Sequence, residues 1–412
     1  MNQTKTTKWA SNCFWFSGVI TFLGLYFSIS LMWVGLALFF LAGFALAISS
    51  KTWLWLYRNP LFWPVMILCS AMTFSVIVAA PYPYKGAIGK IIFPFFVFLF
   101  SWFFSIHPKT RRDLLKTSAV LSVVLAIVSA TQGLGFFPRF LPGLNPYIYQ
   151  LPGETGLYLA VGLTRHHTTF AFTLILLFHI LFAHGLLMEK TKQKALFLLF
   201  SALCVAGTLF TFSRGAWLSL VISSALVLLL VNWKKLLWGC ALFVALFSTL
   251  FFTVSAFQKR ISSLDLAANQ ERLELWKVGW KMFQDSPWFG QGYDSFGYRL
   301  PQFSDLHITS PSTPLDLHNM YLEFLATSGI LGFLCFLLFF GASFRLVFSK
   351  IKNSASPPQL KPWFLASAGV LTAFSVGGFF DRYFDMPHTM VPMVLMLGLC
   401  TASKPDEIVA DT

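Results

Sequence analysis

Apolar residues in this chain do not alternate with polar ones. They run in blocks of about 17–25 residues, the length that crosses a hydrocarbon core as a helix. The blocks predict spans near 13–30, 31–49, 61–79, 88–106, 117–132, 168–188, 195–212, 215–231, 236–255, 319–344, 363–380 and 388–402. Most connections between them are short. Two, about 133–167 and about 256–317, exceed the length of ordinary connections and call for a function or an ordered fold of their own. The pattern therefore predicts an all-α polytopic membrane protein. Residues 1–412 form one integral membrane domain of about 12 transmembrane helices, and 256–317 form a large loop between spans nine and ten. The first block starts near Asn12 and runs into the second with little polar break, which reads as a signal anchor.

Composition and charge add a direction. The chain is 56% hydrophobic and 11% charged, against about 25% charged in soluble domains. With the N-terminus inside, cytoplasmic segments hold 18 of the 30 Lys and Arg but only five of the 16 acidic residues. The positive-inside rule favours this orientation, with both long loops outside. It also accounts for the net charge of +14 without nucleic acid. A nucleic-acid surface would need a soluble basic face. The six cysteines each fall inside a span and show neither a disulfide framework nor a zinc spacing.

Candidate chemistry gathers at the outer ends of the spans. Arg214 lies in Thr211-Phe212-Ser213-Arg214-Gly215, where one span exits and the next returns. A charge there faces a cavity or snorkels to the interface, and the small Ser213 and Gly215 leave room for a ligand. Arg272, Trp276 and Trp280 recur at helical spacing after Asn269, a plausible N-cap, on a predicted amphipathic loop helix that lies on the bilayer. From spacing alone, a surface helix with an incidental Arg is the simpler reading. His318 marks the return of the loop to the membrane. Gly329, eleven positions on, would sit about 16 Å deeper on nearly the same helix face, allowing close approach or leaving a cavity. Such a His can act as a general base or be a satisfied interfacial side chain. Lys85 and Lys90 could reach a phosphate at the interface. His166 and His167 read as structural, and Asp381, Arg382, Asp385 and His388 as an internal ion pair in the last outer turn. No Gly-rich phosphate loop, no outside Asp-x-Asp pair and no HExxH helix occurs, so no metal or cofactor is expected.

Arg214-Gly215-Ala216-Trp217-Leu218 fits an Arg-x3-Leu pattern, and His318 through Gly329 fits His-x10-Gly. Between them, Glu271 to Tyr293 looks like a long periplasmic loop. Together these features resemble the O-antigen ligase superfamily, over roughly 200–345. The resemblance implies a GT-C-like glycosyltransferase in the bacterial inner membrane with its site facing the periplasm. It implies a metal-independent, inverting transfer of a glycan from undecaprenyl pyrophosphate to lipid A-core. Arg214 and Arg272 would stabilise the pyrophosphate and His318 would take or align the acceptor proton. Lys85, Lys90, Trp276 and Asn319 would contact the pyrophosphate or glycan. O-antigen polymerases and protein O-oligosaccharyltransferases share much of this region. Polymerases often carry Arg-x10-Gly, whereas the eleventh residues after Arg139, Arg260 and Arg272 are Gln150, Glu271 and Phe283. A lipid-linked glycan transporter is the alternative of another class, but repeat symmetry and mid-membrane polar groups are missing.

Overall fold

The apolar blocks all fold as helices. The computed structural model describes residues 5–50, 55–80, 85–136, 150–151, 156–164, 166–262, 266–304 and 316–402. In chain order the helices are α1 (Lys5–Phe27), α2 (Ile29–Ser50), α3 (Trp55–Arg58), α4 (Phe62–Val78), α5 (Lys85–Ile91), α6 (Phe96–Ile106), α7 (Thr110–Gly133), α8 (His167–Leu187) and α9 (Thr191–Leu209). There follow α10 (Arg214–Val231), α11 (Trp233–Thr253), α12 (Ser255–Ser262), α13 (Leu266–Asp285), α14 (Phe296–Phe303), α15 (Met320–Lys352), α16 (Lys361–Gly377) and α17 (Pro387–Thr401). Among the described residues, nine helical segments are long and apolar enough to cross a membrane, against about twelve expected. The other three expected spans, α4, α16 and α17, are helices of only 17, 17 and 15 residues, about 23–26 Å long at 1.5 Å per residue.

The core is built around α8, which is buried along nearly its whole length and packs on α7, α9, α10, α16 and α17. The α1–α2 pair packs against α6, with Phe14 stacked on Phe39 at 4.5 Å. At the other extreme, α11 has no buried residue. Its Trp238 and Phe252 are 78% and 80% exposed, a surface suited to lipid and not to water. Cys240 is exposed on the same helix.

The described part of the long loop is docked on protein. Leu275, Val278 and Met282 of α13 form a second core with Phe296, Leu300, Leu317 and Ala326. The stretch after α13 then crosses the ends of α4 and α15. The Ser75 hydroxyl accepts from the Tyr293 N–H (3.0 Å), and Arg299 donates to the Ala79 carbonyl (2.8 Å).

At Gly329 the structure corrects the expectation of a continuous helix. Gly329 has φ 64° and ψ −172°, which interrupts α15. The break opens the helix backbone to the loop. Gln291 and Gly292 N–H groups donate to the Ala326 and Thr327 carbonyls (3.1 and 2.8 Å), while Ile330 and Leu331 donate to Pro287 and Trp288 (2.8 and 3.3 Å). A break in an apolar helix survives because these partners satisfy the freed groups. Gly290 mirrors Gly329: it has φ 70°, and a Cβ there would lie 2.5 Å from the Gly329 nitrogen. The glycine of the His-x10-Gly pattern therefore receives a backbone, not a facing helix.

Candidate functional site

The site is assembled at the loop-bearing end of α8, α10, α15 and α16. Ser213 caps α10, its hydroxyl accepting from the Ala216 N–H, and so fixes Arg214 as the first helical residue. Gly215 lets α10 approach the turn after α16, since a Cβ there would meet the Phe380 Cβ at 2.8 Å. Phe212 holds a left-handed backbone (φ 49°), and its carbonyl accepts from Arg260 Nε at 3.0 Å. Trp217 stacks on Phe257 (5.0 Å) and ties α10 to α12.

His318 also has a left-handed backbone, φ 46°. Asp316 holds it twice. Its Oδ1 accepts from the His318 N–H at 2.9 Å and lies 3.1 Å from His318 Nδ1. Asp381 Oδ1 lies 3.6 Å from the same ring nitrogen. Asp381 is buried, and its carboxylate accepts from the Thr168 hydroxyl (2.7 Å) and from the Arg382 N–H (2.9 Å). Thr168 in turn meets His166 Nδ1 at 2.8 Å. Burial works against the imidazolium, but the Asp381 and Asp316 carboxylates outweigh it and hold His318 above its ordinary pKa. Burial alone would raise the Asp381 carboxyl; the hydrogen bonds and charges of His318, His166 and Thr168 hold it well below the usual carboxylate range instead.

Arg272 is half-buried, and its charge acts on both His318 and His167. The loop helix therefore brings this charge within electrostatic range of the histidine. Trp276, one turn on, has a structural bond: its indole N–H donates to the Leu317 carbonyl at 2.8 Å, next to His318. Trp280 is exposed, as an interfacial residue would be. Asn319 caps α15, its Oδ1 accepting from the Tyr321 and Leu322 N–H groups, both 3.1 Å.

Below this layer lies a second cluster. Arg382 Nε sits 3.0 Å from Asp316 Oδ2. Lys90 pairs with Asp294 and approaches Asp385 at 3.7 Å. Tyr293 donates to Asp385 at 2.5 Å. Glu323 and Arg382 share a small cavity with Tyr293 and Asp385. Burial and the neighbouring Asp385 raise the Asp294 carboxyl pKa even against Lys90. Lys90 is thus committed to carboxylates, which leaves it poorly placed for a phosphate. Lys85 opens α5, and its side chain lies outside the described residues, as do Arg139, Arg165 and the side chain of Asn269.

The Asp381–Arg382–Asp385 turn does form ion pairs, but they run outward to Asp316 and Lys90. His388 leaves the group and contacts the Leu25 carbonyl at 3.1 Å. Sequence reasoning missed the partnership of Asp316 and Asp381 with His318; the one local signal is the Asp-x-His spacing. Among the described residues, Asp316, His318 and Asp381 are the group whose ligand atoms, within 4.8 Å of one another, could meet a cation. Arg382 and Thr168 already engage both carboxylates, so this cluster carries its own counter-charge.

All three described non-glycine residues with a left-handed backbone, Phe212, Asp294 and His318, belong to this assembly. Strained backbone of this kind persists where surrounding contacts over-determine it. Residues 197–337, about a third of the chain, match a family model described as O-antigen ligase. No curated protein is significantly similar to the chain.

Proposed function

We propose that this chain, whose residues 197–337 match a family model described as O-antigen ligase, moves a glycan from undecaprenyl pyrophosphate to lipid A-core. The transfer occurs at the periplasmic face of the bacterial inner membrane. One observation carries this reading: a histidine flanked by two carboxylates stands at the loop-bearing end, with Arg214 at the neighbouring helix start and the charge of Arg272 within electrostatic range. The excess of Lys and Arg at the opposite end supports the orientation.

In the proposed reaction an acceptor hydroxyl attacks the anomeric carbon from the face opposite the leaving group, inverting it. The new C–O bond forms as the bond to pyrophosphate breaks. Undecaprenyl pyrophosphate leaves as the anion, and the hydroxyl proton passes to His318. Arg214 and Arg272 offer bidentate, charge-assisted hydrogen bonds to the phosphate oxygens as charge grows there. Trp276 and Asn319 act through position, holding Leu317 and the start of α15 around His318. Lys85 remains a phosphate candidate, and Lys90 serves the loop instead.

The test is a reconstituted assay with purified protein, undecaprenyl-pyrophosphate glycan and lipid A-core, in the presence of chelator. Glycan on lipid A-core is expected. Growth on the donor lipid itself would identify a polymerase, and transfer abolished by chelator would overturn the metal-independent mechanism. Arg214→Ala and Arg272→Ala should each slow transfer roughly 10²–10³-fold, the cost of losing one preorganised donor to a developing anion. Near-normal rates in both variants would remove the arginines from the mechanism.

A further inference from the structure

We propose that Arg382 is a positioning residue for this transfer, clamping the carboxylates that hold His318. The inference rests on the ligase reading above and concerns a residue no part of that reading uses.

Arg382 reaches both carboxylates at once. Its Nε lies 3.0 Å from Asp316 Oδ2, and its backbone N–H donates to Asp381 Oδ1 at 2.9 Å. The remaining Asp316 oxygen is the one that holds the His318 N–H and faces its ring. A single residue after α16 thereby fixes the two groups that aim the histidine before α15. The need for a clamp is visible in the backbone: His318 sits at φ 46°, a conformation an unrestrained residue of its kind leaves.

Charge points the same way. Asp294, Asp316, Glu323 and Asp385 all act on the Arg382 guanidinium. Without it, Asp316 would face these carboxylates with its Oδ2 unpaired. Repulsion and the freed oxygen would turn it away from His318, and the ring would lose its alignment. Arg382 touches neither reacting atom in this scheme, so its loss acts on turnover and not on donor affinity.

The experiment compares Arg382→Met, Asp316→Asn and the double variant in the reconstituted assay. Arg382→Met is expected to lower kcat by about 10²-fold, the effect of a misplacement near 1 Å, with KM for the donor changed less than about twofold. The double variant should be no slower than the slower single variant, because both act on one alignment. Arg382→Lys, which keeps the charge, should recover part of the loss; it also decides the question by the same kcat and KM readout if Arg382→Met fails to fold. A raised donor KM with unchanged kcat would make Arg382 a phosphate ligand and overturn the proposal, as would additive losses in the double variant. His318→Ala run alongside separates the two readings. If it is inactive while Arg382→Met transfers normally, this inference alone fails. If His318→Ala is active, the site reading fails first.

Discussion

His318→Ala is expected to slow transfer by roughly 10²–10⁴-fold, the range a positioned general base supplies, while the protein stays folded. Asn is the cleaner replacement at φ 46°, because it tolerates the left-handed backbone better than Ala. The pH profile then tells what the imidazole does. A base must be neutral, so activity should rise with pH through an acidic limb. Asp381 and Asp316 hold the His318 pKa above its ordinary 6.5, so the limb's midpoint should lie above that value. Asp316→Asn removes one stabiliser of the imidazolium and should move the midpoint down. An opposite slope, with activity falling as His318 loses its proton, would make the residue a phosphate-binding cation and sink the base assignment.

Gly329→Ala should cost both stability and activity. The φ 64°, ψ −172° backbone is nearly exclusive to glycine, which by itself makes Ala unfavourable by about 1–3 kcal/mol. A Cβ would also lie 2.4 Å from the Trp288 carbonyl carbon and oxygen, backbone atoms with no rotamer to escape into. The loop must back away, breaking the four hydrogen bonds that splice 287–292 into α15. Arg272 and the Leu317 carbonyl held by Trp276 belong to the same loop, so the site loosens with it. Lower thermal stability, faster proteolysis of the loop and lost transfer should appear together. Gly341→Ala is the control on the same helix, since its Cβ would meet nothing within 4 Å. If Gly329→Ala behaves like that control, the splice does not hold the loop.

Much of this was legible in the chain because membrane helices announce themselves through long apolar blocks. Each of the expected spans falls on helix, with ends displaced by up to eight residues and with 88–106 divided between α5, a 3-10 turn at Phe93–Phe95 and α6. The shortness of α17 was visible too, since its block, 388–402, already held only 15 residues. Arg214 and His318 stand out by residue type and position at the ends of predicted spans, whereas Arg272 gains weight only through the family resemblance. Their helpers do not stand out. Asp381 lies 63 positions beyond His318, and only the packing of α16 against α15 brings them together. Lys90 shows the converse: position suggested a phosphate, but Asp294, from the far end of the loop, claims the ammonium.

The splice at Gly329 also sets an order of assembly. Residues 287–292 are synthesised before the helix that receives them, and their backbone partners at 326–331 emerge about 40 residues later. Until α15 is inserted and breaks at Gly329, residues 287–292 lack these backbone partners, and Leu317 and His318 have no fixed place. This half of the molecule therefore gains its chemistry only after its tenth predicted span is seated. A nascent chain stalled before Leu331 would carry Arg214 and Arg272 and still transfer nothing.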